Sequence, residues 1–185
     1  MSLGAPGLAR LVRERAPRLG PVRLVCVDGP AGAGKSTLAE RLGQDLGATV
    51  IHMDDLYEGW SGLEGGWDRL EEQVLAPLAS GRPARYQRYD WVEGAFAEWR
   101  DVPVPEHLVV EGCGSAPRAL GDRAVLVVWV EAPSELRLAR GVARDGEEMR
   151  AEWLRWRDLE AAHFAREGTR ARADVVVDGT AVLDP

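Results

Sequence analysis

The stretch Gly29-Pro30-Ala31-Gly32-Ala33-Gly34-Lys35-Ser36 decides how this chain is read. It has the form G-x-x-x-x-G-K-[ST], a glycine-rich loop that cradles phosphate groups when it joins a strand to a helix. Both neighbours fit. Residues 22–28 (VRLVCVD) predict a buried strand, and residues 36–46 place Leu38, Leu42 and Leu46 at four-residue spacing, which predicts a helix. The chemistry needs these residue types. Glycines at 29, 32 and 34 let backbone N–H groups converge on phosphate oxygens with no Cβ in the way. The helix adds its positive end. Lys35 reaches the outer phosphates as a compact point charge, and the Ser36 hydroxyl can coordinate Mg²⁺. The backbone of Ala31, Ala33 and Thr37 completes the expected phosphate-binding set.

Composition sharpens the weight on Lys35. It is the one lysine among 23 basic residues, in a chain that otherwise uses arginine wherever a cation will do. The 185 residues are 45% hydrophobic and 29% charged, which predicts a single ordinary globular domain over 1–185 and excludes a disordered chain. A net charge of −7 argues against a nucleic-acid footprint. The longest apolar run, around Ala124–Val130, is far short of a membrane span, and no apolar signal core opens the sequence. Two cysteines, Cys26 and Cys113, are too few for a disulfide scaffold. The expectation is a cytoplasmic protein acting on a small molecule, with no membrane or nucleic-acid partner.

Outward from the loop, residues 5–19 read as a short amphipathic helix. Residues 48–54 (ATVIHMD) read as a second strand, 55–66 as loop, 67–80 as helix, and 82–106 as irregular. Residues 107–112 (HLVVEG), 124–132 (AVLVVWVEA) and 173–179 (ADVVVDG) read as three further strands. Between the last two, a helical pattern runs from Ser134 toward Glu167 with a break at Gly146. Continuously apolar strands alternating with helices predict an α/β fold with a parallel sheet covered on both faces.

Two acids end such strands. Glu111 closes 107–111, where an acid beside the loop can hold the Mg²⁺ shell. Asp54 and Asp55 close the second strand, beyond whose carboxyl end ligands bind in open α/β sheets. An aspartate there can take the proton of an attacking hydroxyl. Strand alternation would place Val50, His52 and Asp54 on one face and Asp55 on the other.

The loop, His-Met-Asp-Asp-Leu-Tyr (52–57), Arg-Tyr-Asp-Trp (88–91), Val-Val-Glu-Gly (109–112) and Ala-Asp-Val-Val-Val-Asp (173–178), in this order, resemble the uridine kinase-like P-loop kinases over roughly residues 22–179. The resemblance implies a P-loop NTPase three-layer α/β/α sandwich, a five-stranded parallel sheet in the order 2-3-1-4-5, and a helical lid at roughly 140–155. It implies ATP and Mg²⁺, with Asp54, three residues before Tyr57, as the base. Trp67-Asp68 is similar to the family's aromatic–Asp pair that binds ribose hydroxyls. Tyr89-Asp90-Trp91 is similar to the segment whose rings contact the base. Arg144 is similar to a lid arginine that contacts phosphates. Two positions depart: Gly94 stands where uridine and cytidine kinases carry a base-reading His, and Gly141 where they carry an Arg. These departures bear on which acceptor is taken rather than on phosphoryl transfer.

Arg137, Arg140 and Arg144 share one face of the lid helix by spacing. Arg140 and Arg144 are the stronger candidates to neutralise the transferring phosphoryl group. Trp60, Trp67 and Trp91 flank the expected acceptor site and can stack on a flat substrate. Trp129, Trp153 and Trp156 read as packing residues, as do His52, His107 and His163. The expected activity is transfer of the ATP γ-phosphoryl group to a hydroxyl of a nucleoside-like acceptor. Nucleoside monophosphates (with Arg82, Arg85 and Arg88 as the phosphate cluster), cofactor precursors and sugar acids are the alternative acceptors. A nucleotide-binding switch acting on a protein partner is the alternative of another class. The resemblance permits a monomer, a dimer or a larger assembly.

Overall fold

The computed structural model describes residues 4–180. The residues outside that range at either end, 1–3 and 181–185, carry none of the site assignments. Five parallel strands form the central sheet: β1 (Arg23–Asp28), β2 (Thr49–His52), β5 (His107–Glu111), β6 (Ala124–Glu131) and β7 (Val175–Asp178), side by side as β2-β5-β1-β6-β7. Counted among the parallel strands alone, that is the order 2-3-1-4-5. The fold is the expected P-loop sandwich.

Strand alternation builds the three layers. Val25 and Val27 of β1, with Val109 of β5, face α1 (Ala5–Glu14) and α2 (Lys35–Leu46), burying Leu8, Val12, Leu38 and Leu42 completely or nearly so. Leu24 and Cys26, with Leu108 and Val110 of β5 and Ile51 of β2, face the opposite layer of Leu70, Val74, Leu75 and Leu78. Each fully buried aliphatic side chain contributes about 1.5–3 kcal/mol, so a one-residue slip of either central strand would exchange the faces and is strongly resisted.

The register explains the site. In β5, Glu111 lies opposite Val27 of β1 on one side and His52 of β2 on the other. All three strands therefore deliver their carboxyl ends to one rim. Past that rim, α5 (Ser134–Asp145) and α6 (Arg150–Glu167) are separated at Gly146 and pack against each other, and the short α7 (Thr169–Arg172) leads into β7.

Four local expectations are corrected. The first helix stops at Glu14 rather than 19. The second strand ends at His52, and Met53–Asp55 form a 3₁₀ turn, so strand alternation does not orient Asp54 and Asp55. The helix expected from 67 begins at Leu63; α3 (Leu63–Leu70) passes through a π stretch at Glu71–Leu75 into α4 (Ala76–Ala79). Residues 82–106 are not irregular: β3 (Ala84–Asp90) and β4 (Ala95–Val102) pair as an antiparallel hairpin. A register shift between Gln87 and Tyr89 breaks its period of two and hides it from a pattern reading.

Candidate active site

A single cavity of about 710 Å³ runs from the phosphate loop to an aromatic wall. At the loop, Gly29 and Gly32 have φ of 140° and 76°. A Cβ on Gly29 would sit 2.1 Å from the Val130 carbonyl oxygen, and one on Gly32 would sit 2.5 Å from that of Arg137. Glycine is required at both positions on steric and conformational grounds.

The acid ending β1 fastens this loop. Asp28 is fully buried and accepts hydrogen bonds from the N–H groups of Gly29 (2.7 Å), Gly114 (2.9 Å) and Ala116 (3.0 Å). Burial pushes its carboxyl upward, and those three donors with Lys35 oppose the shift. Lys35 is buried and folds back to donate to the Pro30 carbonyl at 3.0 Å, with Cys113 Sγ 3.8 Å away. Burial acts to lower its pKa, but the net shift is upward because of its acidic surroundings. The Cys113 thiol is itself pushed up by burial and is neutral near pH 7, so Glu111, Glu160 and Asp28 do that holding.

Ser36 donates to Glu111 Oε1 at 3.0 Å, and His52 Nδ1 lies 2.6 Å from the same oxygen. The Glu111 bond raises the His52 pKa above its ordinary 6.5, against burial. His52, which the sequence reading treats as structural, is thus tied to the acid beside the loop. The signal was its position in β2, at a register point that places it opposite Glu111. No cluster of three or more His, Cys, Asp or Glu side chains suited to a metal occurs among the described residues. A Ser36 hydroxyl beside one carboxylate nevertheless fits Mg²⁺, which keeps most of its waters and takes one or two protein ligands next to phosphate.

Asp54 lines the cavity and is exposed to it. Desolvation by the surrounding cavity walls, followed by the Glu111 charge, raises its pKa; Lys35, Arg144 and His52 pull the other way. Asp55 turns away and accepts from Tyr86 (3.1 Å) and Arg100 (3.1 Å) of the hairpin.

Beyond Asp54 the wall is made of indoles. Trp60 meets Trp91, Trp153 and Trp156 edge to face, with centroids 5.6, 5.9 and 6.1 Å apart. Trp91 sits at the hairpin tip and donates to the Asp54 carbonyl at 2.9 Å. Trp153 and Trp156, read from the sequence as packing residues, do pack and also line the cavity. Tyr57 presents its ring there, while its hydroxyl is engaged by the Cys113 carbonyl at 2.6 Å.

The remaining assignments separate. Trp67, Asp68 and Tyr89 do not line the cavity. Trp67 packs against the core with the Arg123 guanidinium 5.9 Å over its ring, and Asp68 is exposed. Tyr89 is buried and packs edge to face against Trp91 and Phe96. Arg140 and Arg144 reach the cavity, but Arg137 does not. Arg140 donates to the Gly32 carbonyl at 3.2 Å; Arg144 pairs with Asp145 and lies 5.6 Å over Trp153. The face shared by the three arginines therefore splits among three tasks.

The family described as an AAA domain matches residues 25–165, and the chain belongs to it. A bifunctional pantoate ligase/cytidylate kinase of Gloeobacter violaceus is 33% identical over 138 residues, 68% of this chain and 25% of that protein. A shikimate kinase of Synechococcus elongatus is 29% identical over 126 residues, 57% of this chain and 62% of that protein. The chain thus spans less than two thirds of either relative. The fold is shared with a structure described as a possible uridine kinase from Bacillus stearothermophilus, with a TM-score of 0.69 at 21% identity, covering 94% of this chain and 97% of the other.

Proposed function

We propose that this protein is an ATP-dependent small-molecule kinase that passes the γ-phosphoryl group to a hydroxyl of a nucleoside-like acceptor. One observation carries the reading: a single cavity holds the phosphate loop with Lys35 and Ser36 at one end, and Asp54 between that loop and an aromatic wall. In this reading the loop N–H groups and Lys35 hold the outer phosphates. Ser36 and Glu111 hold Mg²⁺, which when bound offsets the charge of the β- and γ-phosphates. Asp54 accepts the acceptor's hydroxyl proton as the new O–P bond forms and the bond to the leaving ADP breaks. Its pKa is raised by desolvation and by Glu111, the direction that strengthens a carboxylate as a proton acceptor. Arg140 and Arg144 lie on the lid helix beside the loop and add positive charge where negative charge develops.

The arginines favour a hydroxyl acceptor over a monophosphate. Arg85 lies over Trp99 beside Asp101, and Arg88 is held by Glu98 and Asp90; with Arg82, none of the three lines the cavity. Arg144, the guanidinium nearest the indoles, is paired with Asp145. The wall offers faces and edges of aromatic rings, which suit a flat or apolar acceptor body better than a second phosphate.

The test is Mg-ATP-dependent ADP release across nucleosides, nucleoside monophosphates, cofactor precursors and sugar acids. A compound that raises release well above the acceptor-free rate, with the gain lost in Asp54→Asn, supports the reading. Acceptor-independent hydrolysis that responds only to a protein partner would replace it with the switch reading.

A further inference from the structure

The least expected polar feature of the molecule lies behind the phosphate loop, outside the groups assigned above. Glu160 on α6 is 2% exposed, and the cation it pairs with comes from α5 rather than from its own helix. Its Oε2 accepts the Ala31 N–H at 2.8 Å, and its Oε1 accepts from Arg137 Nη1 of α5 at 2.7 Å. The same Arg137 nitrogen donates to the Ala31 carbonyl at 3.1 Å, and its Nε donates to Ala132 at 3.2 Å. Cys113 Sγ lies 3.5 Å from Glu160 Oε2 and connects this group to Lys35. One residue of the loop, Ala31, is thus held at its N–H by α6 and at its carbonyl by α5.

A buried carboxylate facing a loop built to hold anions opposes that task unless a cation neutralises it. Here the cation is Arg137, itself turned away from the cavity. We infer that Glu160 and Arg137 are positioning residues, a charge-balanced clasp that sets the Ala31 peptide and tunes how tightly the loop binds polyphosphate. The inference rests on the nucleotide reading of the loop and not on the identity of the acceptor. It gives the two partners effects of opposite sign. Removing Arg137 leaves a bare carboxylate against the loop and weakens nucleotide binding. Neutralising Glu160 with an isosteric amide leaves a spare guanidinium beside the loop and tightens it. A purely structural pair has no reason to behave this way, since loss of either member would loosen the same contact.

The experiment is calorimetric titration of the full chain with Mg-ATP, without acceptor, for the wild type, Arg137→Met, Glu160→Gln and the double variant. The expected Kd is at least tenfold weaker in Arg137→Met and at least threefold tighter in Glu160→Gln, with the double variant within threefold of the wild type. Singles that shift Kd in the same direction, or not at all, overturn the clasp while the kinase reading stands. A wild type that binds no Mg-ATP overturns both. If Arg137→Met loses the fold, Glu160→Gln decides alone: unchanged or weaker binding overturns the inference.

Discussion

The two ends of the cavity are built in different ways. The phosphate end is one contiguous run, residues 29–36, fastened by the buried acids Asp28 and Glu160, and its polar groups are bonded within a few ångströms. The aromatic end, the proposed acceptor end, is assembled from the turn at Met53–Ser61, the hairpin tip at Trp91, and helices α5 and α6 around Gly141 and Trp153. Its rings touch edge to face, and its polar groups are occupied by one another: Trp91 with the Asp54 carbonyl, Trp153 and Arg144 with Asp145. A loop that must present converging N–H groups tolerates little change. A wall made of side chains from distant segments can be altered one ring at a time, and acceptor choice is free to diverge there while the phosphate end stays put.

Asp54→Asn is expected to separate the ends most sharply. Transfer should fall by about 10²–10⁴-fold, the usual reach of a general base, while Mg-ATP affinity measured by calorimetry stays within a factor of about two. Because the free Asp54 carboxyl is shifted upward from 3.8, the acidic limb of the wild-type kcat/KM profile should lie above an ordinary aspartate limb, activity rising as pH rises through it. A variant that keeps near-normal transfer would break the division of roles.

Trp60→Leu comes next. Trp60 is the ring that the other three indoles share. Its loss is expected to raise the acceptor KM by roughly tenfold with the ATP KM unchanged, since each aromatic pair is worth about 0.5–1.5 kcal/mol beyond its buried area. An equal change in both KM values would argue that the ends are one mechanical unit.

Gly141→Ala probes the lid side of the wall. A Cβ there would lie 2.4 Å from Trp153 Cε2. The expected cost is about 1–3 kcal/mol of stability from overpacking, read as a lowered midpoint in urea. This contact also accounts for the departure at 141: the Trp153 ring fills the space that any side chain, an arginine included, would need.

The smallest effect is expected at His52. Its pKa is raised in the folded state by Glu111, so its contribution is fully present below about pH 6.5 and is lost as pH rises through the folded value. The ring is 37% exposed, which limits the gain to under about 1 kcal/mol. Wild type and His52→Gln should therefore differ in urea midpoint at pH 5.5 and converge at pH 8.5.

Much of this was legible in the residues alone. Apolar strands alternating with helices predicted the parallel sheet, the family resemblance implied its strand order, and the loop's lysine stood out in a chain of arginines. Asp54 was expected to close the second strand, but that strand ends at His52 and a 3₁₀ turn carries Asp54 to the cavity. The hairpin escaped notice because its register shift scrambles the period of two and because β4 is almost wholly exposed, leaving little apolar signal. Trp67 and Asp68 carried the family's pattern but lie on α3 away from the cavity, where Trp67 packs on the core and Asp68 meets solvent.

The sequence by itself determined the phosphate cradle and the sheet, because both depend on short-range rules: glycines where no Cβ fits, and alternation that sorts strand residues between two faces. Only the tertiary structure decided which tryptophans share a wall, that the arginines of α5 part company, and that Glu160 reaches the Ala31 N–H from 129 positions away. Those contacts join segments far apart in the chain, and no local pattern records a meeting that arises only when separate helices and loops pack over one sheet edge.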